Sequence, residues 1–209
     1  MAKKNIISTD LCFPRIYRLL ESLPENYPQT MRHVVFQKGK LIATNGHILL
    51  FHDASVFIED AECCEGMILD IATCKALSVA NCLSISADYT GIKCKIKKQG
   101  EQFYPYSGRI DDTRVLYSSE NEPIGGEKAL YPNWEAVYDL DNYTEESSTW
   151  GIGLSMLSLN LLSDCFLHDH LQGALMFRFS KTFPRKSAVL VTSERDGQRA
   201  ILMPSSMED

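Results

Sequence analysis

Ala43-Thr44-Asn45-Gly46-His47-Ile48-Leu49 is the stretch on which the fold of this chain turns. Its glycine permits a close backbone turn, because a residue without Cβ adopts positive φ freely. It lies inside residues 40–52, whose β-branched and apolar side chains suit a hairpin. Arg32-His33-Val34-Val35-Phe36 leads into that run as a strand, through a turn at Lys38-Gly39. Before it, the amphipathic run from Leu11 to Leu20 predicts a helix capped by Thr9 or Asp10. Pro14 is tolerable there only in the first turn, and Pro24 and Pro28 close the helix. Residues 5–8 read as a preceding short strand.

The same order of elements recurs twice. Met67-Ile68-Leu69-Asp70 reads as a strand ending in a helix cap, residues 71–80 as the helix, and residues 83–96 as strands broken near Asp88 to Gly91. Further strands are expected between Glu101 and Leu116. Residues 118–128 are polar and rich in turn formers, which predicts a surface loop or connector. A third unit starts near residues 150–153, carries a helix over 155–166, and ends in strands at 173–180, 187–193 and 199–203. The expectation is an α+β fold of repeated strand-helix-strands units, with helices on one face of antiparallel sheets. Two repeats form a domain over 1–128, and one repeat forms a partial domain over 129–209.

At 209 residues and 44% hydrophobic content, the chain can bury one large core or two small ones. No apolar run approaches the roughly 18 to 20 residues of a membrane span, and the start lacks the apolar core of a signal peptide, so a cytoplasmic location without membrane contact is expected. A net charge of -6 argues against indiscriminate coating of nucleic acid, but leaves room for a local basic face. The seven cysteines have neither CxxC pairs nor the spacing of a disulfide framework, so reduced and mostly buried thiols are expected. Neither Cys63-Cys64 nor His168-Asp169-His170 offers a full tetrahedral ligand set, so no metal or other cofactor is expected. Phosphate-binding glycine loops, GxSxG, HExxH and paired-carboxylate motifs are missing, so no enzymatic activity is expected.

Three motifs go further than composition. Ala43 to Leu49 resembles the Ala-Thr-Asp-Gly-His-Arg-Leu segment of bacterial sliding clamps, the DNA polymerase III beta subunits, with Asn45 for Asp and Ile48 for Arg. Tyr131-Pro132-Asn133-Trp134-Glu135-Ala136-Val137 resembles the segment by which those clamps pass from middle to last domain. Ala200-Ile201-Leu202-Met203-Pro204 resembles their carboxyl-terminal run. The three occur in family order, and the resemblance implies a DNA clamp-like fold equivalent to the middle domain plus half of the last.

In such clamps these segments form an apolar groove for short linear motifs of polymerases and repair proteins. The resemblance carries the groove onto Thr44, Gly46, His47, Leu49, Pro132, Val137, Ile201, Leu202, Met203 and Pro204. Clamp helices present basic residues to double-stranded DNA; here the candidates are Arg15, Arg18 and Lys75. The run Lys93-Cys94-Lys95-Ile96-Lys97-Lys98 is expected to be a solvated strand edge rather than a nucleic-acid contact. The implied function is a replication or repair accessory, a processivity factor that assembles with its own copies. The alternatives are a ring-less relative, of phage or mobile-element origin, that sequesters clamp-binding partners, or a protein that reuses the fold for assembly.

Overall fold

Helix α1 (Cys12–Glu21) forms because Phe13, Ile16, Leu19 and Leu20 recur at the spacing of one helical face, and all four are buried. This is a computed structural model, and it describes residues 12–80, 82–97, 99–137, 143–144, 175–180, 188–193 and 199–202. The helix ends where the Ser22 amide donates to the Arg18 carbonyl and the Ser22 hydroxyl to the Leu19 carbonyl, ahead of Pro24. The expected strand at 5–8, the caps Thr9 and Asp10, the third-unit strand and helix at 150–166, and His168 and His170 lie outside the described residues.

Strands β1 (His33–Gln37), β2 (Lys40–Thr44) and β3 (Ile48–Asp53) form an antiparallel meander. Lys38 and Gly39 both take positive φ, at 53° and 69°, which is the geometry of a two-residue hairpin turn. The Glu65 carboxylate accepts from both of their amides, at 2.7 and 3.0 Å. After α2 (Ala54–Phe57), β4 (Met67–Asp70) returns beside β1. Asp70 then caps α3 (Ile71–Val79), its carboxylate accepting from the Thr73 amide at 2.7 Å.

Strands β5 (Cys82–Asp88), β6 (Gly91–Ile96) and β7 (Gly100–Pro105) make a separate three-stranded sheet. The remaining elements are β8 (Gly108–Ile110), β9 (Leu116–Ser118), α4 (Trp134–Val137), β10 (Tyr143–Thr144), β11 (Leu175–Ser180), β12 (Val189–Ser193) and β13 (Arg199–Leu202). The larger sheet runs β10-β11-β12-β13-β3-β2-β1-β4-β8-β9, so the last strands of the chain continue the sheet begun by its first unit.

Side chains alternate across a strand, and two apolar layers result. Val34, Phe36, Leu41, Ala43, Ile48, Leu50 and Leu202 join Ile16 and Leu20 of α1 and Leu77 of α3, which pack together on one side. Val35, Ile42, Leu49, Phe51, Leu190 and Ile201 form the opposite layer, covered by Tyr131 and Trp134. The fold is α+β, antiparallel sheets with the helices α1 and α3 against one face. Among the described residues no helix is long and apolar enough to cross a membrane.

Two expectations are overturned. Cys82 and Cys94 are joined by a disulfide, with Cα atoms 5.7 Å apart. Chain spacing carried no sign of it because a register shift between Cys82 and Ser84 is what brings the two thiols together in the β5–β6 hairpin. Cys63, Cys64 and Cys74 remain thiols, and burial pushes that of Cys64 up to about 11. Reduction opens a loop of sequence separation 12, and the chain-entropy model puts the stabilisation lost near 3 kcal/mol. A thermal melt with and without dithiothreitol is expected to show a fall of roughly 6–12 °C for a chain of this size. The second correction concerns the lysine run. β6 is the middle strand of its sheet, so Lys93 and Lys95 stand on a sheet face and do not guard an edge, and Lys93 pairs with Asp88 at 2.9 Å.

Candidate functional site

The sheet brings two of the three motifs side by side. Leu49 of β3 is flanked by Thr44 on β2 and Ile201 on β13, so the three residues share one register across adjacent strands. The third motif lies over this layer: Tyr131 and Trp134 pack in the same apolar cluster as Leu49 and Ile201. Segments some 150 residues apart in sequence are thus in contact through that register.

The turn between β2 and β3 is held by its own side chains. The Thr44 hydroxyl donates to the Ile48 carbonyl at 2.9 Å and accepts from the Gly46 amide at 3.1 Å. Asn45 Oδ1 accepts from the amides of His47 and Ile48 at 3.0 and 2.8 Å, and Asn45 Nδ2 donates to the Ser22 hydroxyl at 2.8 Å. Gly46 has φ +84°, and a Cβ there would lie 2.6 Å from Tyr27 Cε1, so both backbone and neighbour demand glycine. The Tyr27 hydroxyl stands 3.4 Å from His47 Nε2. Gly46 and His47 are the exposed part of the motif, while Thr44 and Asn45 are buried.

These bonds explain the asparagine where clamps carry aspartate. A carboxylate could accept from both amides but could not donate to Ser22, whose own proton goes to the Leu19 carbonyl at 2.6 Å. Asn45→Asp is therefore expected to cost about 1–3 kcal/mol, as the buried side chain at 45 would hold a carboxylate oxygen against the Ser22 hydroxyl oxygen with no proton between them. Urea unfolding at neutral pH measures it.

The Tyr131 segment is anchored by polar contacts at each end. Tyr131 is fully buried; its amide donates to the Arg114 carbonyl at 2.8 Å and its hydroxyl lies 3.4 Å from the carbonyls of His33 and Ile42. Burial pushes its phenol far above the ordinary range. Trp134 Nε1 donates to Gln37 Oε1 at 3.1 Å, and Glu135 pairs with Lys38, which ties α4 to the β1–β2 turn. Pro132 is half-buried beside Tyr131.

Not every expected site residue fits. Leu202 lies on the helix side of the sheet, fully buried with Leu50 and Ala200, because strand alternation sends it opposite to Ile201. It is not available to a ligand on the other face. Arg15 is only 7% exposed, so little of its side chain is open to phosphates. Arg18 and Lys75 are exposed on α1 and α3, and Lys75 Nζ sits 5.8 Å from the Tyr17 ring centroid. Met203, Pro204 and the side chain of Val137 lie outside the described residues.

The residues named for the site from the sequence did not include Tyr27, Tyr131 and Trp134. Tyr131 and Trp134 stand inside one of the three motifs, and large aromatics with a polar tip are the residues that anchor a segment when buried. Tyr27 carried no sequence signal, since only the tertiary contact puts its ring over Gly46.

The antiparallel sheets, the two packed helices and the sheet that the last strands continue from the first unit have the fold of bacterial sliding clamps. The chain is similar to two structures from Pseudomonas aeruginosa. One is the DNA polymerase III subunit beta, at TM-score 0.52 and 12% identity. The other is the DNA polymerase sliding clamp determined with a ligand, at TM-score 0.53 and 12% identity. Each match covers 96% of this chain and 66% of the clamp, so the chain spans just under two thirds of the length of these clamps. No protein-family model matches the chain. No curated protein matches it in sequence.

Proposed function

We propose that this protein is a non-enzymatic, clamp-like accessory of DNA replication or repair that binds an extended peptide segment of a polymerase or repair partner. The observation that carries this reading is the meeting of the three motifs in one layer: Leu49, Ile201 and Trp134 are packed together as a buried floor, and Gly46 and His47 of the first motif are exposed. A site of this kind recognises apolar anchors of an extended chain with a few backbone hydrogen bonds, and needs neither a catalytic group nor a cofactor. The same reading divides the chain near residue 129 and places it in the cytoplasm.

The test is titration of a fluorescent clamp-binding peptide against a scrambled control. Saturable binding in the micromolar range is expected. His47→Ala is expected to weaken binding at least tenfold while changing stability by no more than about 0.5 kcal/mol, because His47 is exposed. No binding by the parent protein would sink the reading.

A second reading is favoured by the burial of Arg15: with only Arg18 and Lys75 exposed among the candidate DNA contacts, the helix side offers little to phosphates. In that case the protein holds clamp-binding partners away from DNA. Fluorescence anisotropy of a duplex at low salt separates the two readings, since binding that falls steeply with added salt supports the first.

A further inference from the structure

The face that carries the three motifs continues beyond them onto the last strands of the sheet. Residues paired across neighbouring strands share a face, and the register sets Thr44, Leu49, Ile201, Leu190 and Arg178 in one row across β2, β3, β13, β12 and β11. A second row, two residues further along, holds Phe51, Arg199 and Thr192. Phe177 packs with the cluster on the helix side, as alternation requires of the residue beside Arg178. Two arginines therefore stand on the motif face, and both are half-buried.

The described strands β11, β12 and β13 contain no acidic residue. On the neighbouring elements, Asp53 at the end of β3 pairs with Lys40, and Glu135 of α4 pairs with Lys38. A guanidinium carries five N–H donors in a fixed fork, so bonds that it makes within the protein leave donors for a ligand carboxylate. Two separated cations beside an apolar layer suit a peptide that brings apolar and acidic side chains together. A nucleic-acid backbone would call for a longer basic track.

We propose that Arg178 and Arg199 bind carboxylates of the partner peptide, so that the protein selects a segment with Asp or Glu close to its apolar anchor. The inference rests on the peptide-binding reading and adds to it the charge of the partner. Arg178 lies three strands from Leu49, about 14 Å at ~4.8 Å per strand. An extended peptide covers that distance in about four residues, which puts the carboxylates within roughly five residues of the anchor. Arg199, one strand from β3, meets the nearer of them.

The test compares two fluorescent clamp-binding peptides, one carrying glutamates and the other glutamines at the positions flanking the apolar anchor. The glutamate peptide is expected to bind the parent protein about fivefold more tightly at low salt, an advantage that shrinks as salt is added. In the protein with both Arg178→Gln and Arg199→Gln that advantage is expected to vanish, while the glutamine peptide binds as it does to the parent. Arg178→Lys and Arg199→Lys, which keep the charge, are expected to retain part of it. Equal binding of the two peptides to the parent protein overturns the inference, needs no variant to fold, and leaves the peptide-binding reading standing. An advantage that survives the double substitution also overturns it. So does a double variant that loses affinity for a duplex oligonucleotide and for neither peptide, which would assign the arginines to phosphates. Binding of neither peptide by the parent sinks both readings together.

Discussion

Ile201→Asp is expected to leave no cooperatively folded protein at 25 °C. Ile201 is fully buried between Leu49 on β3 and Leu190 on β12, with Tyr131 in the same layer. A carboxylate there would sit among the apolar side chains of this layer, and burying it is expected to cost more than the roughly 4–5 kcal/mol that marks an exceptional substitution. Typical domains hold only about 5–15 kcal/mol in total. Loss of the near-ultraviolet circular dichroism signal and of a sigmoidal urea transition is the readout. Ile201→Val is the control, at about 0.5–1.5 kcal/mol. A well-folded Ile201→Asp would mean that the β13–β3 junction opens to solvent. The same substitution at Leu202 is expected to unfold the chain from the opposite layer, so neither position can report on ligand binding; His47 can.

Tyr131→Ala is expected to cost about 3–5 kcal/mol, the range for emptying a fully buried aromatic site. Its ring fills the space over Val35, Ile42 and Ile201, and its loss would release the segment that carries Trp134 onto the sheet. Tyr131→Phe is expected to cost about 1 kcal/mol or less, because both hydroxyl contacts are long at 3.4 Å. The pair of variants separates packing from hydrogen bonding in one urea titration series. If Tyr131→Ala cost no more than Tyr131→Phe, the segment would not be holding the layer together.

Much of the element order is legible in the amino-acid sequence. Lys38-Gly39, Asp70 and the break between Asp88 and Gly91 are local signals: a positive-φ pair, a carboxylate cap and an Asx turn each act within four residues. The three motifs are legible in the same way, as short strings in a fixed order. Less legible is which of their residues face the site. β13 reads Arg-Ala-Ile-Leu and β3 reads Ile-Leu-Leu-Phe-His-Asp, apolar in succession, because both strands are buried on two faces. A strand with water on one side shows its phase in its polarity; a strand covered on both sides does not.

The Lys38-Gly39 turn, the Asp70 cap and the order of the three motifs can be read along the chain, because each depends on neighbours in the chain. Tertiary structure alone decided that Ile201 faces Leu49 while Leu202 faces the helices, that Arg15 is buried, and that Cys82 meets Cys94 across a shifted register. Each of these depends on which strand or helix lies alongside. That partner is chosen by the packing of residues far apart in the chain, where no local pattern records it.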